Sequence, residues 1–159
     1  MAEIYLANGK GVALIDDEDV GRIPLTGWYI HNQGYAQHRW RRPDGSHTHE
    51  LLHRVVMNAK SGQELDHINH NRLDCRKSNL RLVTRSQNNE NWPGAQSTNK
   101  LGIRGVMRYE TKGGPRFRAS IQVRGKQMQK WGLLSLEEAT AKAVALRREH
   151  FTHSPDNRT

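Results

Sequence analysis

Residues 64–92 read ELDHINHNRLDCRKSNLRLVTRSQNNENW, and their alternation of apolar runs and breakers decides the fold. Leu65-Asp66-His67-Ile68 predicts a strand, the polar stretch after it a loop, and Leu80-Arg81-Leu82-Val83 a second strand. Thr84 followed by Gln87 is a capping box that opens a helix, which must stop by Pro93. Strand, loop, strand and helix in so short a stretch cannot bury a core, but they can bring Asp66, His67 and one helix face to a single point. On a regular strand Asp66 and His67 point to opposite faces, so they share a cleft only if twist or a bulge rotates them at the strand end. Asn69, Asn71, Asn79, Asn88, Asn89 and Asn91 crowd the same segment. Caps and turns are their ordinary use.

Outward from this segment the 159 residues suffice for one ordinary domain or two small ones. Only 35% of residues are apolar, so the core is modest and divided. A formal charge of +9 points to a polyanionic partner. One cysteine, Cys75, excludes an internal disulfide and a Cys-rich zinc site. No apolar run approaches the roughly 18 residues needed to span a bilayer, and the N-terminus lacks the pattern of a secretory signal. The expectation is a cytoplasmic chain with no membrane partner.

The basic excess is local. Between Lys100 and Lys130 nine basic residues face one acid, Glu110, whereas residues 1–61 balance to zero. Arg116-Phe117-Arg118 and Ile121-Gln122-Val123-Arg124 alternate at strand period, which gives a sheet one cationic face. Three hairpins are expected upstream, turning at Asn8-Gly9, Asn32-Gln33-Gly34 and Pro43-Asp44-Gly45-Ser46, with short helices opened by the acids at 16–19 and over Leu51 to Asn58. Residues 93–98 read as a linker, three strands follow, and Ser135 with Glu138 caps a final helix before a frayed tail from Ser154.

The central segment resembles the HNH nuclease motif of phage and homing-type endonucleases, carried by Asp66-His67, Ser78-Asn79-Leu80 and Asn88. The resemblance implies a ββα-metal unit in which His67 is the general base, Asp66 and Asn88 hold a divalent cation, and Asn79 supports the loop that aims the histidine. His53, within His53-Arg54-Val55-Val56, resembles a stretch that precedes the motif and is a possible support; His70 could reach phosphate. Two hard oxygen ligands favour Mg²⁺ or Mn²⁺ over Zn²⁺. A histidine of ordinary pKa near 6.5 predicts activity rising through roughly pH 6–7. A rival motif, His49-Glu50-Leu51-Leu52-His53, matches the H-E-x-x-H pattern of zinc peptidases and would need a helix to bring both histidines to one face.

Residues 99–153 resemble the DNA-binding domain of the APETALA/ethylene-response-factor type through Gly102-Ile103-Arg104-Gly105-Val106, Phe117-Arg118-Ala119-Ser120-Ile121, Trp131-Gly132 and Glu137-Glu138-Ala139. That resemblance implies a three-stranded antiparallel sheet on one helix. It puts Arg104, Arg108 and Gln122 at DNA-contacting positions, with Arg116, Arg118, Arg124 and Lys130 on phosphates. The expected chain is α+β: a β-rich region with the nuclease unit over residues 1–92, then the basic module. Its expected partner is double-stranded DNA, as monomer or homodimer, in a phage or mobile-element setting. The rival from another class is a non-catalytic, sequence-specific DNA-binding regulator.

Overall fold

The computed structural model describes residues 1–7 and 9–157. The fold is α+β, several small sheets with few helices, and it divides between Thr84 and Arg85 into two units. That boundary precedes the linker expected at 93–98.

In the first unit β1 (Ala2–Tyr5) and β2 (Val12–Ile15) form an antiparallel pair. The turn expected at Asn8-Gly9 falls partly on residue 8, which lies outside the described residues. β3 (Trp28–Ile30), β4 (Ala36–Arg41) and β5 (His47–Leu51) make a sheet in that order, and the expected turn at residues 43–46 is closed by the Arg42 N–H donating to the Ser46 carbonyl (2.8 Å). β5 runs directly into α1 (Leu52–Val56). β6 (Glu64–His67) and β7 (Leu80–Val83) pair antiparallel around the long loop at 68–79. That loop is stitched to β2, because the Leu14 N–H donates to the Leu73 carbonyl (2.8 Å) and the Cys75 N–H to the Leu14 carbonyl (2.9 Å). Alternation turns Ile4, Ala13, Ile15, Trp28, Ala36, Leu52, Val56, Cys75 and Leu80 into one core.

In the second unit α2 (Arg85–Asn91) stands first. The unit's sheet has the order β10-β9-β8, from β8 (Val106–Thr111), β9 (Gly114–Val123) and β10 (Lys126–Leu133). α3 (Leu136–His150) begins as the sequence predicts: the Ser135 hydroxyl accepts the Glu138 N–H (3.0 Å), and the Glu138 carboxylate accepts the Leu134 N–H (2.9 Å). Its small residues Ala139 and Ala143, with Leu146, pack on Val106, Ala119, Ile121 and Leu133. The tail does not fray over the described residues. Pro155–Asn157 form a 3-10 turn, the Asp156 carboxylate takes the Arg147 guanidinium and the Ser154 hydroxyl (3.0 Å for the latter), and the Asn157 amide donates to the Phe151 carbonyl (2.6 Å). Residues 158 and 159 lie outside the described residues. No described helix is long and apolar enough to cross a membrane.

Gly105 shows how close the backbones approach. Its φ is 77°, and a Cβ there would sit 2.7 Å from the Ser120 carbonyl oxygen. Gly125 has a similar φ of 80° with nothing within 4 Å. Left-handed backbone costs a side chain about 1–2 kcal/mol, so Gly125→Ala should lose about 1 kcal/mol in urea unfolding, and Gly105→Ala about 2 kcal/mol or more. Equal losses would show that the approach at Ser120 is not constraining.

Candidate active site

The loop after His67 is organised by asparagine side chains. Asn79, buried at its far end, accepts the Asn69 N–H on Oδ1 (2.9 Å) and donates from Nδ2 to the Asp74 carbonyl (2.8 Å), while its own carbonyl accepts the Ile68 N–H (2.8 Å). Asn69 adds a donation to Asp74 Oδ2 (2.9 Å) and accepts the Asn71 N–H (2.8 Å); Asn71 accepts the Leu73 N–H (3.1 Å). These are the local side-chain-to-backbone bonds that suit Asn to loops. Asp74, 2% exposed, receives the Arg76 guanidinium at 2.7 and 2.6 Å. That pairing holds its carboxyl below the usual carboxylate range against the opposing effect of burial.

His67 is set at the end of β6, opposite Leu80, with 5% of its surface exposed. Its ring meets that of His53 edge-on (centroids 5.0 Å apart, planes at 76°) and lies 5.8 Å from that of Tyr35, which in turn lies 5.1 Å from that of His53. The Cys75 sulfur is 4.0 Å from His67 Nε2, and the Arg72 guanidinium covers the Tyr35 ring at 4.8 Å. Burial drives the His67 pKa down to about 4, although Asp66 and Asp74 pull upward; Arg72 pushes it further down. Burial, with the neighbouring His67 and Arg54, drives His53 to about 3. Both rings are therefore neutral near pH 7 and can accept protons. The activity limb expected at pH 6–7 moves with His67 to more acid pH.

Asp66 stands opposite Arg81 on β7 and is 7% exposed. Its Oδ2 accepts from Arg81 Nε (2.9 Å) and Nη2 (2.7 Å). Its charge still reaches the His67 ring, as the upward pull on that pKa shows. His53 is on α1, buried, with Nδ1 lacking a hydrogen-bond partner. His70 is exposed in left-handed backbone (φ 65°), its N–H donating to the His67 carbonyl (3.0 Å). The first unit thus gathers Asp66, His67, Asn79, His53 and His70. Asn88 lies on α2, in the second unit. Arg81, Tyr35 and Arg72 were not among the sequence candidates. Only Arg81 had a signal, since pairing the two predicted strands sets it against Asp66.

The peptidase motif does not form. His49 and Glu50 belong to β5 and are exposed, and the helix begins only at Leu52, so His49 and His53 share no helical face. Among the described residues no group of three or more His, Cys, Asp and Glu could hold a metal ion.

On the second unit's sheet, register sorts the cations. Arg116, Arg118 and Gln122 alternate with Phe117, Ala119, Ile121 and Val123, and so occupy the face away from α3. The Arg118 guanidinium covers the Trp131 ring at 4.5 Å, and Trp131 meets Tyr109 at 5.3 Å. Arg108 and Lys130 pair with Phe117 and Ala119, which places them on the opposite face, where Arg108 binds Glu110 at 2.7 Å. Arg124 is in the β9–β10 turn with φ 48°. Arg104 corrects the sequence expectation. Its guanidinium donates from Nη1 and Nη2 to the carbonyls of Asn89 (3.0 Å), Glu90 (3.2 Å) and Trp92 at the end of α2 and lies over Phe151, so it is held within the unit.

Residues 50–90, from β5 through most of α2, match the model of the HNH endonuclease family. The chain is 30% identical over 104 residues to an uncharacterized HNH endonuclease of Acanthamoeba polyphaga mimivirus, an alignment covering 64% of this chain and 54% of the relative. The chain spans about half the length of that relative. No solved structure matches it.

The buried histidines fix a pH dependence. Their folded pKa values lie below the ordinary 6.5, so the unfolded chain binds more protons between about pH 4 and 6.5. Stability is full above 6.5 and falls as pH drops, by up to about 1.4 kcal/mol per histidine for each pH unit. Urea midpoints should fall from pH 7 to pH 5, less steeply in His53→Phe. Midpoints independent of pH over that range would contradict the burial of these rings in their neutral form.

Proposed function

We propose that this chain is a divalent-metal-dependent HNH endonuclease that hydrolyses phosphodiester bonds in duplex DNA. The observation that carries the reading is the buried, neutral His67, aimed by the Asn79-braced loop and flanked by Asp66, within the segment that matches the nuclease family. His67 accepts the proton of the attacking water, which its neutral ring permits near pH 7. Asn79 acts through the loop as a positioning residue. Arg81 fixes the orientation of the Asp66 carboxylate through two hydrogen bonds to one oxygen.

The HNH resemblance names Asp66 and Asn88 as the cation ligands, and a carboxylate and an amide oxygen are each donors that would suit Mg²⁺ or Mn²⁺. When bound, the cation supplies Lewis-acid stabilisation at the scissile phosphate and the departing 3′ oxygen. Residues 99–153 are read as the DNA-holding module of APETALA/ethylene-response-factor type. The cationic and aromatic sheet face of Arg116, Arg118, Gln122, Tyr109 and Trp131 supports that reading, and α3 closes the other face. Arg124 adds a phosphate contact from the β9–β10 turn, whereas Arg108 and Lys130, in register with Phe117 and Ala119, belong to the other face and drop out of this contact.

Supercoiled plasmid incubated with protein and Mg²⁺ should be nicked, and chelation of the metal should abolish the activity. His67→Ala and Asp66→Ala should each slow nicking by about a hundred-fold or more, while circular dichroism confirms folding. Folded wild type as inactive as His67→Ala, yet still binding the plasmid, would instead favour a non-catalytic DNA-binding protein.

A further inference from the structure

The arginines of the first unit fall into two groups. Arg22, Arg54, Arg72, Arg76 and Arg81 all donate within the protein: to Asp19 and the carbonyls of Val55 and Val56, to the carbonyls of Lys60 and Gln63, to the Gln33 carbonyl, to Asp74 and to Asp66. The side chains of Arg39, Arg41 and Arg42 make no hydrogen bond or ion pair with any described residue, and all three belong to one hairpin.

Register puts two of them on one face with two histidines. Arg39 stands opposite His49 and Arg41 opposite His47, and all four are exposed. The intervening residues of β4 point the other way. The His38 and Trp40 rings stack at 4.0 Å, and His38 meets the buried Trp28 at 5.2 Å, so the strand is anchored from behind. Tyr29 steadies the outer face by contacting His49 Nδ1 (3.1 Å) and donating to Gln37 (3.0 Å). The two nearby acids do not neutralise it. Glu50 stands opposite His38, on the inward-facing set, and Asp44 at the turn is held by the Ser46 N–H (2.8 Å). The even balance of charge over residues 1–61 hides this segregation.

We propose that the Arg39, Arg41, His47 and His49 face of the β3–β4–β5 sheet is a second phosphate-binding surface that grips the backbone of duplex DNA. Arginine is suited to phosphate because its donors form a planar fork, and residues two apart on a strand repeat at roughly 6.6 Å. The sheet also starts beside the candidate active site. Tyr35, which touches the His53 and His67 rings, immediately precedes β4, so Arg39 and Arg41 follow it along the strand at roughly 13 and 20 Å. That reach lies within one helical turn of DNA, about 34 Å. The proposal rests on the reading of the chain as a DNA nuclease and adds to it a face that the basic module does not supply.

Fluorescence anisotropy with a labelled duplex in chelator, across a range of salt, tests it. Arg39→Gln combined with Arg41→Gln should flatten the slope of log affinity against log salt by about 1.8 and raise Kd on the order of 10- to 60-fold at 0.1 M salt. Its thermal midpoint should stay unchanged, because neither side chain bonds to any described residue. Lys10→Gln combined with Lys60→Gln removes the same formal charge off this face and should move the slope less than half as much. A wild-type slope in the arginine variant, with wild type still nicking plasmid, would overturn the surface and leave the nuclease reading standing; that is also the result expected if the face serves an acidic protein partner. Equal losses in the two double variants would overturn it as well, by reducing the effect to net charge. Wild type that neither binds nor nicks DNA would remove both.

Discussion

The excursion of the chain between β6 and β7 must leave at His67 and return at Leu80 in register, and Asn79 makes that return possible. One carboxamide closes both ends of the loop: its oxygen holds the Asn69 N–H just after β6, and its nitrogen holds the Asp74 carbonyl in the middle. With the Asp74 carboxylate occupied by Arg76 and Asn69, the loop has a charged centre with its partners in place. A buried polar group left without partners costs about 1–3 kcal/mol, so these bonds stabilise the loop mainly by forbidding alternatives. His67 inherits its position from them. The His53 and Tyr35 rings and the Cys75 sulfur then cover most of the imidazole, and burial overrides the nearby carboxylates in setting its pKa.

Charge in this molecule is arranged more sharply than composition suggests. Arginines with internal partners hold loops and helix ends together, as Arg81 does for Asp66, Arg104 for the end of α2 and Arg147 for the tail through Asp156. Other arginines lie on sheet faces. Within the second unit Arg116 and Arg118 reach only the adjoining Pro115 carbonyl (2.9 Å) and the Met107 sulfur (2.6 Å), with Arg118 over Trp131; within the first, the Arg39 and Arg41 side chains make no bond to a described residue. The distinction separates cations that stabilise the fold from cations available to a phosphate backbone.

Much of the architecture was legible because its signals are local. Apolar runs flanking turn-formers marked the first unit's hairpins, period-two alternation over residues 116–124 marked a strand of the second, Ser135 with Glu138 fixed the start of α3, and the apolar runs at 65–68 and 80–83 around a polar stretch set the β6–loop–β7 order. What escaped depends on contacts distant in the chain. Nothing in the sequence brings Tyr35 against His67, and net neutrality over residues 1–61 concealed the cationic face on β4. Arg104 looked like a DNA contact because its motif suited one, yet the carbonyls of Asn89, Glu90 and Trp92 take its donors. The same bonds, with Glu90 accepting from the Thr152 backbone N–H (3.0 Å), tie α2 into the second unit and move the boundary ahead of the residues that look like a linker. The H-E-x-x-H pattern failed because β5 continues to Leu51, so strand geometry governs its first half.

The role proposed for the neutral imidazole at position 67 is to take the proton from water. Single-turnover nicking by His67→Gly, with imidazole added from solution, measures that role most directly. The folded variant should be nearly inert alone, and its rate should climb with the concentration of unprotonated imidazole, by about ten-fold or more on the general-base scale. A variant that nicks at the wild-type rate without imidazole, or that binds DNA normally yet stays inert at every imidazole concentration, would contradict it.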